Sequence, residues 1–154
     1  MTQPASITDA FLPLVPEIAE ADIPMFIAML ERVAASHYEL WAEAAADPIE
    51  TAGLLACAAR EIEISEFIES LYPDAQATID GLNQQFPDLA ARYGAIMEGR
   101  PRAEQLRIQS EGELGGSSFM LQFAEANDGV VAARFQSLAS CEEANSKFLA
   151  GLVA

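Results

Sequence analysis

A chain of 154 residues that is 51% hydrophobic is long enough for a domain with a real core and is not a disordered tail. Eight Lys and Arg stand against 24 Asp and Glu, a formal net charge of −16, and such a surface repels phosphate backbones and excludes nucleic acid and anionic membrane as partners. The opening residues, MTQPASITDAFLPLVPEIAEAD, carry no basic stretch ahead of their apolar ones and do not read as a secretory signal. No run of about 18 apolar residues is present to span a bilayer.

The chain reads as all-α, because Ala, Glu and Leu dominate and alternating β-branched runs are absent. A short amphipathic segment near 8–20 is broken by Pro13 and Pro16. A long helix follows from about 22 to 46, with Asp22 as its N-cap and Pro24 in its first turn. Asp47-Pro48 ends it and opens a second helix that runs to about 71, since Asp caps and Pro suits the first helical position. Residues 73–100 form a connection with one or two short helices, interrupted at Pro87 and closed at Gly99. A third long helix runs from Pro101 to about 127, Asn127-Asp128-Gly129 turns the chain, and a fourth fills about 129–151. Two tight hairpins (22–71 and 101–152) joined by a long crossover predict one domain, a four-helix bundle.

The hairpins resemble each other. At an offset of 81, ten residues find identical partners, among them Ser36 with Ser117, Leu40 with Leu121, Ala45 with Ala126, Asp47 with Asp128, Glu61 with Glu142 and Ser65 with Ser146. An internal repeat is expected. Within it, Leu54, Cys57, Glu61, Ile64, Ile68 and Leu71 form one helical seam, and Phe135, Leu138, Glu142, Asn145, Leu149 and Leu152 form its counterpart. A carboxylate sits on an otherwise largely apolar seam twice, at equivalent places.

Depth along the helices brings further carboxylates to the same level. Glu61 lies 14 residues after Asp47, and Glu31 lies 16 before it. Glu142 lies 14 residues after Asp128, and Glu113 lies 15 before it. At a rise of about 1.5 Å per residue, each hairpin carries two glutamates at one depth. Glu31 shares a stripe with Ile27, Ala34, Tyr38, Trp41 and Ala45; Glu113 shares one with Gly116, Met120 and Phe123. Matching Glu31 to Glu113 needs a one-residue slip from the offset of 81. Four like charges in a low dielectric need compensation. A divalent metal pair, protonation, or arginines such as Arg32, Arg60, Arg107 or Arg134 would each supply it.

This pattern resembles the ferritin-like superfamily, whose layout is two helical hairpins, a long connection and a Glu on each of four helices. In its di-iron members the second helix of each hairpin carries Glu-x-x-His. Here the matching tetrapeptides are Glu61-Ile62-Glu63-Ile64 and Glu142-Glu143-Ala144-Asn145, and neither has the His. The resemblance implies a carboxylate metal site at Glu31, Glu61, Glu113 and Glu142, without the standard di-iron ligands. An all-oxygen set suits Mn, Mg or Ca better than Fe.

The single histidine, His37, lies six residues from Glu31, about 9 Å along the axis and too far to share its ligand shell. It is expected to be a core or interface histidine with one hydrogen-bond partner. The small residues of GELGGSSFMLQF (112–123) predict close helix–helix approach, and without a Lys or a preceding strand they are no phosphate loop. Trp41, Tyr38, Phe119 and Phe123 read as core. Cys57 and Cys141 form no metal-type cluster and predict a reduced, cytoplasmic protein in which both act as small hydrophobes. No nucleophile–base pair is legible. The second helical stripe beside Phe26, Leu30, Val33 and Leu40 predicts a homodimer.

The expectation is a cofactor-free ferritin-like bundle, its biochemical role and any small-molecule ligand unassigned, acting through its oligomer or a binding surface. The alternative is a metal protein that holds a divalent cation, Mn or Fe, on the glutamate cluster.

Overall fold

The computed structural model describes residues 2–154, which are all-helical and contain no strand. Contacts divide the chain into two compact units, residues 14–94 and residues 1–13 with 95–154. No helix among the described residues is long and apolar enough to cross a membrane.

Residues 14–94 are built on a helical hairpin, α2 (Ile23–Ala44) and α3 (Pro48–Ser70), followed by α4 (Ala75–Gln85) and the greater part of α5 (Leu89–Met97). Asp47 opens α3 as the sequence predicts: its carboxylate accepts from the Ile49 N–H at 3.0 Å, and Pro48 takes the first helical position. Asp22 occupies the N-cap position of α2 but makes no side-chain cap. A 3-10 turn, Glu20–Asp22, runs straight into the helix, so Asp22 has helical backbone and cannot aim its carboxylate at the first N–H groups. The Tyr72 hydroxyl serves instead, accepting from the Met25 N–H at 3.2 Å and donating to the Ala21 carbonyl at 2.7 Å. It ties the start of α2 to the end of α3.

The crossover contains two short helices. Asp74 caps α4 through the Ala77 N–H at 3.0 Å, and the chain breaks at Phe86-Pro87. Gly99 closes the region at φ +73, where a side chain would be strained. Phe86 packs its ring on Phe26 at 5.6 Å, and Tyr93 stacks on His37 at 5.1 Å. These contacts cover Phe26 and His37 on the stripe that includes Leu30, Val33 and Leu40, while Leu40 stays 58% exposed.

His37 is half-buried between Tyr93 and Trp41, with ring centroids 5.1 Å and 5.9 Å away. It packs as an aromatic and finds no hydrogen-bond partner among the described residues, contrary to the sequence expectation. Burial pushes its pKa below the ordinary value, because the charged imidazolium is desolvated there.

Residues 1–13 and 95–154 contain α1 (Ile7–Phe11) and a second hairpin, α6 (Arg102–Glu125) and α7 (Gly129–Leu152). The predicted N-terminal segment is shorter than expected. The 3-10 stretch Leu12–Glu17 holds both prolines, because neither Pro13 nor Pro16 can donate to continue an α-helix. The Gln3 amide donates toward the carbonyls of Ala95, Ile96 and Glu98 at 2.8–3.1 Å. Gly112 and Gly115 seat α1: a Cβ at Gly112 would lie 2.5 Å from Ile7, and one at Gly115 would lie 3.4 Å from Thr8. Part of the small-residue stretch thus admits a short helix.

Two outcomes follow for stability. Tyr72→Phe leaves the Met25 N–H without its acceptor and costs about 1 kcal/mol, read as a thermal midpoint lowered by about 2–4 °C. His37 binds its proton more weakly folded than unfolded, so below a pH of about 6.5 the unfolded chain holds more protons. Stability is full above that value and is lost as pH falls through the lowered folded pKa. His37→Phe keeps the ring stack, and its urea midpoint between pH 7.5 and 5.5 lacks that acid-side decline.

Candidate functional site

The buried face of α3 comprises Leu54, Cys57, Ala58, Glu61, Ile64, Ser65 and Ile68. That of α7 comprises Phe135, Leu138, Ala139, Glu142, Asn145, Ser146 and Leu149. Adding 81 to each number of the first set gives the second. Leu71 and Leu152 leave the seam; Leu71 follows the last residue of α3 and is 40% exposed, and Leu152 is half-buried at the end of α7.

On the first helix of each hairpin the correspondence runs at 82. Ala28, Glu31, Ala35, Tyr38 and Ala42 of α2 are buried, as are Ser110, Glu113, Ser117, Met120 and Ala124 of α6. At 81, exposed Ser36 would face buried Ser117, so that identity and its neighbours Leu40–Leu121 and Ala45–Ala126 do not mark equivalent places. The cause lies in the turns. The chain leaves helical backbone at Ala45 (ψ 135), whereas Ala126 keeps it (ψ −4); both connections have three residues, but 15 positions separate Glu113 from Asp128 against 16 between Glu31 and Asp47. The slip between Glu31 and Glu113 is therefore the register of α2 and α6 themselves.

A serine clamp fixes the same register in both hairpins. The Ser65 hydroxyl lies 3.0 Å from the Ala28 carbonyl, three residues before Glu31. The Ser146 hydroxyl donates to the Ser110 carbonyl at 2.8 Å, three residues before Glu113, and the Ser110 hydroxyl returns a bond to the Ser146 carbonyl at 2.9 Å. Each clamp sits one turn from the glutamates and sets them level across the helix pair.

All four glutamates are buried, with exposures of 9% for Glu31, 0% for Glu61, 2% for Glu113 and 1% for Glu142. In the first hairpin a carboxylate oxygen of Glu31 lies within 4.8 Å of one of Glu61. In the second, Glu113 Oε1 accepts from Gln109 Nε2 at 2.6 Å and its Oε2 lies 3.4 Å from Asn145 Nδ2. Asn145, at the place of the missing His, thus turns its amide N–H toward Glu113. Glu142 rests against Gly116, where an added Cβ would overlap its carboxylate. Two of the four arginines named as partners are engaged elsewhere: Arg32 pairs with Glu69 through two contacts of 2.7 and 2.9 Å, and Arg107 pairs with Glu111 at 2.9 Å. Arg60 Nη1 lies 3.8 Å from Cys57 Sγ.

Sequence reasoning missed Gln109 and the seat at Gly116. A glutamine four residues before Glu113 is one turn away on the same face, and that spacing was the available signal. Neither Cys57 nor Cys141 forms a disulfide. No family model matches the chain, and neither a curated protein nor a solved structure does.

Gly116→Ala forces its methyl into the Glu142 carboxylate and costs about 1–3 kcal/mol. In a Glu142→Ala background the same change costs less than half as much. A double-mutant cycle in urea measures the coupling, and additive changes would show that Gly116 does not seat the carboxylate.

Proposed function

We propose that this protein binds divalent cations on its buried glutamate pairs, Glu31 with Glu61 in the first hairpin and Glu113 with Glu142 in the second, in a layout similar to the ferritin-like superfamily. The two hairpins descend, on this reading, from one repeated unit. The observation that carries it is the Glu31–Glu61 pair, buried and with oxygens within 4.8 Å of each other. Two carboxylates that close, flanked by Ile27 and Ile64 on their own helices, stay ionised together only beside a positive charge. The matching burial of Glu113 and Glu142 supports the same role in the second hairpin.

The donor set fits a hard cation. Carboxylate oxygens without imidazole suit Mn²⁺, Mg²⁺ or Ca²⁺ better than the histidine-containing di-iron arrangement. Ile64 offers no donor atom, and Asn145 directs its N–H at Glu113. Bound, such a cation would supply positive charge and Lewis acidity toward an oxygen ligand. The chain's own part is to hold the carboxylates level through the serine clamps and to keep them out of water. The scaffold alternative drew on the wide apolar face of α2, of which Phe86 covers Phe26 and Tyr93 covers His37 within residues 14–94.

Elemental mass spectrometry on tag-free protein, grown with added iron and manganese, tests the proposal. Near-stoichiometric metal is expected, and it should vanish in Glu61→Ala/Glu142→Ala. Empty wild-type protein, with a variant at least as stable, would sink the idea.

A further inference from the structure

The two hairpins bury the same number of glutamates but treat them differently. At the correspondence given above, Gln109, Gly116 and Asn145 of the second hairpin stand where the first has Ile27, Ala34 and Ile64. Each departure serves a glutamate. Gln109 and Asn145, 2% and 0% exposed, direct their amides at the two oxygens of Glu113. Gly116 leaves the volume that the Glu142 carboxylate fills. At the first hairpin's equivalent positions stand two isoleucines, which offer no donors, and an alanine, whose methyl would occupy the seat.

We infer that Gln109 and Asn145 are positioning residues that hold Glu113 pre-oriented as a cation ligand, with Gly116 doing the same for Glu142, so that α6 and α7 carry a pre-organised pair of carboxylates. This rests on the cation-binding reading. The amides touch no cation themselves. They act through the carboxylate, as a hydrogen-bonding partner behind a metal ligand does. An isolated carboxylate on a long side chain loses rotamer freedom when it captures an ion. Glu113 has already lost it, because both its oxygens are held. Glu31 and Glu61 have no amide counterparts at these positions.

Mn²⁺ binding to full-length protein, read by electron paramagnetic resonance of the free hexaaqua ion, tests this. Gln109→Leu and Asn145→Leu remove the donors while filling the space. Each is expected to weaken Mn²⁺ binding by about 10-fold or more, while the metal-free thermal midpoint stays equal to or above that of the wild type. A purely structural role would move the midpoint and leave the affinity of the folded protein unchanged. Should a leucine variant fail to fold, Asn145→Ser, too short to reach Glu113, carries the same expectation. Wild-type affinity in folded variants would overturn the positioning role and leave the cation reading standing. No Mn²⁺ uptake by the wild type, with no metal in the purified protein, would overturn both.

Discussion

Burying two glutamates between two antiparallel helices is the constraint around which each hairpin is arranged. An ionised carboxylate taken out of water costs several kcal/mol, so the surroundings must compensate it or remove its charge. The helical geometry leaves little freedom, because a seam residue cannot turn to solvent without carrying its whole turn with it. The neighbours adapt instead. Ser65 and Ser146 fix the helix register one turn away, Gly116 makes room, and Gln109 and Asn145 direct donors at Glu113.

The same constraint accounts for the small residues that surround it. Hydroxyls of Ser65, Ser110 and Ser146 reach backbone carbonyls across the helix pair, which requires the helices to lie close together. Small side chains at these places allow that approach without leaving a void. The serine bonds also satisfy hydroxyls that would otherwise be buried without partners. Glycines 112 and 115, one turn and less from Gly116, use the same absence of side chain to seat α1.

Away from the glutamates, residues 14–94 hold their hairpin by conventional means. Tyr72 ties the N-terminus of α2 to the end of α3, and an exposed ion pair between Arg32 and Glu69 joins the two helices further along. The second contact adds little in water. More stability comes from the crossover, where Phe86 after α4 and Tyr93 of α5 remove Phe26 and part of the His37 ring from solvent. His37 belongs to this packing: its neutral ring stacks well, and that burial is what weakens its hold on a proton.

The sequence by itself determined the helices, their ends and the identity of the seam glutamates. Helical periodicity, Asp47-Pro48 and Gly99 are local signals, and each acts over a few residues. An offset of 81 legibly placed Glu61 with Glu142, because α3 and α7 begin at equivalent residues. It misaligned α2 with α6. Whether Ala45 or Ala126 remains helical depends on how each turn closes, and composition does not encode a one-residue difference of that kind. Tertiary structure alone decided what faces each carboxylate. In sequence Gly116 reads as close packing and Asn145 as the place of a missing histidine, while Gln109 offers only its spacing of four from Glu113. Their common role at Glu113 and Glu142 exists only once two helices are set in register, since it depends on distances across the pair rather than along the chain.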